Sequence, residues 1–100
     1  MTISDPVPSP ALPGADLVLA GLEDLRAGHL TEEALLVLAA GARLGALGYG
    51  IPTASVEDPE GALYELIRAR VGGARAHGTY NALRRRMVSF LRASSHAATR

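Results

Sequence analysis

The chemistry open to this chain rests on few kinds of side chain: three His, ten acids and ten Arg, with no Lys and no Cys. The absence of Cys removes disulfides, thiolate nucleophiles and sulfur-ligated zinc or iron together. His29 precedes Glu32 and Glu33 by three and four residues, a spacing that could supply half of a metal site or an acid–base pair. No second His stands near it, so it reads as a turn or capping histidine. His77 lies in a glycine-rich stretch and His96 close to the C-terminus, neither with an evident partner in sequence. The carboxylate pairs Glu23-Asp24 and Glu32-Glu33 are adjacent residues, which project about 100 degrees apart on a helix and cannot share a proton as general acid and base must. There is no GxSxG elbow and no HExxH. No catalytic residue, metal site or cofactor is expected, and the chain reads as a non-enzyme.

Two charged patterns remain. Gly73 to Thr79 has the glycine spacing of a phosphate loop, GxxxxG followed by a hydroxyl residue. It lacks the Lys that such a loop places after its second Gly, and it follows a helix instead of a strand. Nucleotide hydrolysis is therefore excluded. A simpler anion site survives as an alternative, with Arg75, His77 and Thr79 grouped in a loop over residues 72–79.

The second pattern is the distribution of charge. The chain is neutral overall, yet all ten acids lie at or before Glu65, where only Arg26 and Arg43 oppose them, a net −8. From Leu66 onward there are eight Arg and no acid, a net +8. Arg84, Arg85 and Arg92 could meet nucleic-acid phosphates. Three features weigh against that reading. Consecutive arginines at 84–86 fan around a helix, Tyr80 and Phe90 read as buried and not as stacking platforms, and the break before the helix is longer than a helix-turn-helix allows. Charge complementarity within the fold or between copies is the preferred explanation.

The elements that must carry these side chains are helices. The stretch TEEALLVLAAGARLGAL, Thr31 to Leu47, is apolar or Gly throughout Ala34–Ala42, so a helix there needs cover on most sides. Thr31 is its N-cap, Glu32 and Glu33 complement the helix dipole, and Leu30 can staple onto Leu35. Gly41 and Gly45, one turn apart, imply a closely packed neighbour, since each interior Gly costs about 1 kcal/mol against Ala. A first helix is predicted over 15–27, ending at Gly28. Asp58-Pro59-Glu60 opens a third over 58–71, and Thr79 caps a fourth over 79–93. On that fourth helix Tyr80, Leu83, Met87, Phe90 and Leu91 form the inner stripe, with Arg85, Ser89 and Arg92 opposite.

The expected architecture is all-α, a compact bundle of four short helices in a single domain over 15–93. A disordered Pro-rich leader is expected over 1–14 and a frayed tail over 94–100. The expected core comprises Val18, Leu22, Leu25, Leu30, Leu35, Leu38 and Ala42 from the first half. Leu63, Leu66, Ile67, Leu83, Met87, Phe90 and Leu91 complete it. No apolar run reaches the ~20 residues of a membrane span, no secretory signal stands at the N-terminus, and the cytoplasm is the expected compartment. Three amphipathic helices cannot fully cover an apolar fourth in so short a chain, which implies a homodimer. The function expected on this basis is a small non-enzymatic interaction or assembly domain, with nucleic-acid binding and anion binding as the alternatives.

Overall fold

Thr31 begins the central helix as its sequence predicts. Its hydroxyl accepts the Ala34 N–H at 3.2 Å and donates to Asp24 Oδ2 at 2.6 Å, so one side chain both caps a helix and ties it to the preceding one. The computed structural model of the protein describes residues 8–98, and these hold five helices: α1 Ala15–Arg26, α2 Glu32–Ala39, α3 Gly41–Ala46, α4 Pro59–Val71 and α5 Gly73–Ala98. There is no strand among the described residues. The all-helical class is as expected; the number and bounds of the helices differ.

α1 and α2 form a hairpin across Gly28, whose φ of +79° is the left-handed stop a helix end favours. The close approach between them occurs at Gly21. A Cβ there would meet the Glu33 carbonyl oxygen and Val37 Cγ2, each at 2.5 Å. Gly41 and Gly45, the expected sites of close packing, have nothing within 4 Å of where a Cβ would stand. Those two glycines belong instead to a break. The helix expected over 31–47 is interrupted at Ala40, whose ψ of 9° departs from helical geometry, and Gly41 restarts the chain as α3. The re-aimed turn buries Leu44 and leaves Ala42 and Arg43 exposed.

α4 starts as its sequence predicts, with Asp58 Oδ1 accepting the Gly61 N–H at 3.1 Å and Pro59 in the first turn. Its end is different from expectation. The stretch read as a loop over 72–79 is helical from Gly73 onward, and a single residue, Gly72, separates α4 from α5. Gly72 adopts φ +88° and ψ +159°, a region essentially reserved for glycine. Its N–H closes α4 on the Arg68 carbonyl at 2.9 Å, and its own carbonyl accepts the first bonds of α5 from Arg75 and Ala76. Thr79 is therefore inside a helix and caps nothing. α5 returns along α4: Tyr64 and Tyr80, each eight residues from Gly72, meet edge to face with ring centroids 5.5 Å apart.

α2 touches α1, α3, α4 and α5, which makes it the centre of the fold. Between α3 and α4 the chain crosses the molecule as an irregular strap, with Tyr49, Ile51, Ala54 and Val56 packed onto the core. Tyr49 stacks at a tilt on Phe90, centroids 5.8 Å apart, and its hydroxyl hydrogen-bonds the Ser94 hydroxyl at 2.6 Å.

Most of the expected core is buried, including Val18, Leu22, Leu25, Leu35, Leu63, Ile67, Met87, Phe90 and Leu91. Leu38 and Leu83 are half-buried at its edge, and Ala42 is exposed. Leu30 and Leu66 are 48% and 39% exposed, so Leu30 is no buried staple. Ala34, Leu36 and Val37 fill the interior instead, because a central helix is covered around most of its circumference.

Parts of both expected loose ends lie in packed or helical structure, and residues 99–100 of the expected tail lie outside the described residues. Of the leader expected over 1–14, residues 1–7 lie outside the described residues; Pro8 is buried, Leu12 packs on the core, and a turn links the Leu12 N–H to the Ser9 carbonyl at 3.1 Å. Gly14, at φ +76°, sits where a Cβ would meet the Arg86 carbonyl oxygen at 2.6 Å, so the entry to α1 lies directly against α5. The tail expected to fray from Ser94 continues as helix to Ala98, with Ser94 buried.

Candidate interaction groove

The arginines of the second half of the chain fall into two groups once the helices are placed. One group is used inside the fold. Arg70 on α4 makes two bonds to the Glu32 carboxylate on α2, at 2.7 and 2.9 Å. Arg86 on α5 reaches both oxygens of Asp16 on α1 at 2.7 Å, and its guanidinium holds the Asp16 carboxyl below its ordinary pKa. Arg68 lies 3.9 Å from Glu65. These contacts give the complementarity of acidic and basic halves a concrete form within one chain.

The other group faces outward on α5. Arg84, Arg85 and Arg92, three of the candidate contacts, line one open depression together with Asn81, Val88 and Ser89. Their spacing along a helix explains this: residues 81, 85, 88, 89 and 92 recur at three and four and share a face. Arg86, in the same triplet, points to α1 instead. None of Arg84, Arg85 and Arg92 lies within ion-pair distance of a carboxylate among the described residues.

Beside this ridge is a cleft of about 150 Å³ between α5 and the break at Ala40. It is lined by Leu36, Ala39 and Ala40 from α2 and its C-terminal cap, Arg43 from α3, Glu60 and Leu63 from α4, and Tyr80, Arg84, Met87, Val88 and Leu91 from α5. The Arg84 guanidinium lies 5.7 Å from the centre of the Tyr80 ring, which itself packs on Tyr64, so aromatic packing positions the charge. Burial raises the Tyr80 phenol above its ordinary pKa; the nearby Glu60 carboxylate adds to this and Arg84 opposes it. A second, shallow depression lined by Arg43, Ala46, Leu47, Leu91 and Ser95 shares Arg43 and Leu91 with it. The large apolar residues of the cleft, Leu36, Leu63, Met87 and Leu91, are buried in the core, so little of them is open to solvent.

The remaining candidates do not assemble. Arg75 and His77 are exposed on the first turns of α5, and two residues apart they project to nearly opposite sides of it. Thr79 is half-buried within the same helix. The expected loop over 72–79 is helical from Gly73, with the Arg75 and Ala76 N–H groups bonded to the Gly72 carbonyl, so Arg75, His77 and Thr79 are not grouped around one loop. No three His, Asp or Glu among the described residues gather to hold a metal. Tyr80 and Arg84 are neighbours at i and i+4 of one helix, a local spacing, whereas Arg43 reaches the same cleft only through the break at Ala40 and is not legible in the sequence. No helix of the described residues is long and apolar enough to cross a membrane.

Comparison of the chain with protein-family models, with curated proteins and with solved structures finds no match.

Proposed function

We propose that the protein is a small helical interaction domain, without catalytic activity of its own, that binds another protein along α5. The observation that carries this reading is the cleft between α5 and the α2–α3 break, where Arg43, Arg84 and Tyr80 stand beside the partly buried Ala39, Ala40 and Val88. Arginine is over-represented at such surfaces because its planar fork pairs with carboxylates while its stem covers apolar area.

Nucleic acid is the second reading, favoured by the acid-free face of Asn81, Arg85, Ser89 and Arg92. Against it stands the neutral overall charge. A surface-to-surface homodimer would use Leu30 and Leu66, the large apolar side chains left exposed.

Size-exclusion chromatography with light scattering, at low and high salt and with or without a mixed-sequence duplex, tests the reading. The expected result is no complex with the duplex at either salt. A complex that forms at low salt and dissolves at high salt would replace the protein partner with nucleic acid.

A further inference from the structure

From Pro59 to Ala98 every residue except Gly72 is helical, and the φ of +88° at Gly72 is what turns the chain back on itself. With helical angles at that one position the segment becomes a single helix about 60 Å long. Its neighbours do not resist the change: no proline follows Pro59, and nothing stands within 4 Å of where a Gly72 Cβ would be. The contacts of α5 are made with other elements. Tyr80 meets Tyr64 of α4, Arg86 meets Asp16 of α1, and Phe90 and Ser94 meet Tyr49. A second copy carries the same groups, so each of these contacts can form between two chains as well as within one. Helical phase suits such an exchange. Leu63 and Phe90, both fully buried, are about seven and a half turns apart on a continuous helix, so the buried stripes of α4 and α5 face opposite sides and carry the two bodies away from each other.

We propose that the chain exchanges α5 with a second copy of itself, with Gly72 as the hinge. In the exchanged dimer residues 59–98 of each copy form one long helix, the two helices pass antiparallel at Gly72, and Tyr64 of each chain meets the partner's Tyr80. Short hinges of this kind favour exchange when the bend is strained. The closed monomer prevails in dilute solution because a one-residue link holds α5 at its site at high effective concentration. Glycine protects that state: it occupies the bend without strain, and it is a poor residue for the interior of a helix. Alanine reverses both preferences. A dimer contains two hinges, so a shift of about tenfold at each is a shift of about a hundredfold in the dissociation constant. The cleft beside α5 is rebuilt in each half of the dimer, so the exchange and the protein-interaction reading are tested separately.

The first test is size-exclusion chromatography with light scattering on the full chain, over a concentration series. Gly72→Ala is expected to dimerise at a concentration at least about a hundredfold below that of the parent. Gly45→Ala adds the same methyl in open space within α3 and is expected to behave as the parent does. The second test keeps Gly72 and exchanges the ends of one ion pair. Asp16→Arg and Arg86→Asp each break the α1–α5 pair at exposed positions, but in an exchanged heterodimer of the two variants both pairs are restored. Native mass spectrometry of the concentrated mixture at low salt is expected to show the heterodimer as more than half of all dimer, the share that random pairing gives. A Gly72→Ala chain that folds and stays monomeric at millimolar concentration overturns the proposal, as does equal dimerisation of Gly45→Ala. Absence of the heterodimer, or its formation at the random share, overturns it as well, because such a dimer joins through another surface.

Discussion

The hydroxyl of Tyr49 lies 2.6 Å from that of Ser94, joining a segment without regular structure to the last turns of a helix 45 residues further on. The bond sits over the Tyr49–Phe90 ring contact, so a polar tip and an apolar body of the same side chain hold the strap. Tyr49→Phe removes one hydroxyl and leaves Ser94 buried without that partner, and Ser94→Ala does the reverse. Each is expected to lower stability by about 1 to 2 kcal/mol in denaturant unfolding. The double variant is expected to lose less than the sum, and strict additivity would show that the bond contributes nothing.

Glycines of similar appearance are expected to respond oppositely to alanine. Gly21→Ala drives a methyl into the Glu33 carbonyl and the Val37 side chain, and is expected to destabilise by about 1 to 3 kcal/mol. Gly45→Ala meets open space within α3 and is expected to stabilise by about 0.5 to 1 kcal/mol through helix propensity. Thermal melts of the two variants decide the matter, and a melt of Gly45→Ala below the parent's would contradict the open surroundings.

The turn at Gly72 admits a third substitution. At φ +88° and ψ +159° any side chain is strained, so Gly72→Ala is expected to cost about 1 to 3 kcal/mol although nothing crowds the position. Chemical denaturation provides the measurement. Wild-type stability in this variant would mean that α4 and α5 do not require the bend.

Asp16 gives the pH dependence a sign. Arg86 holds its carboxyl below the ordinary value of about 3.9. A carboxylate with a depressed folded pKa stabilises the fold fully above that ordinary value and loses its contribution as pH falls through the folded pKa. The melting temperature of the parent is therefore expected to exceed that of Asp16→Asn near pH 6 and to converge with it near pH 2. High salt should narrow the gap at pH 6, since Asp16 is exposed. A gap that is the same at both pH values would separate Asp16 from Arg86.

Features that depend on only a few neighbouring residues are legible in the sequence alone. Thr31 and Asp58 announce helix starts because a cap needs only its own next three residues. The inner stripe of Tyr80, Met87, Phe90 and Leu91 is likewise local periodicity. Gly21 is not legible as a packing glycine, nor Gly41 and Gly45 as uncrowded ones, because a glycine's reason lies in whichever helix passes over it. The loop expected over 72–79 fails for a related cause. Three glycines stand in that stretch, and only Gly72 uses a conformation other residues avoid; Gly73 and Gly78 are simply tolerated in a helix. For the candidate site, Arg84, Arg85 and Arg92 are recoverable from spacing, whereas Arg43 joins them through the break at Ala40, which leaves no sequence mark beyond the glycine after it.

The single-residue link at Gly72 also bears on how the chain reaches its fold. α4 and α5 close on each other with almost no intervening loop, and α1 and α2 across a short turn, so both pairings incur little closure entropy. Low contact order of this kind favours rapid formation. The contacts that join the two pairs, Arg70 with Glu32 and Arg86 with Asp16, span 38 and 70 residues, and the bond from Tyr49 of the strap to Ser94 of α5 spans 45. The docking of two quickly made hairpins is therefore the expected slow event in folding, with α3 and the strap from Tyr49 to Val56 as the tether between them.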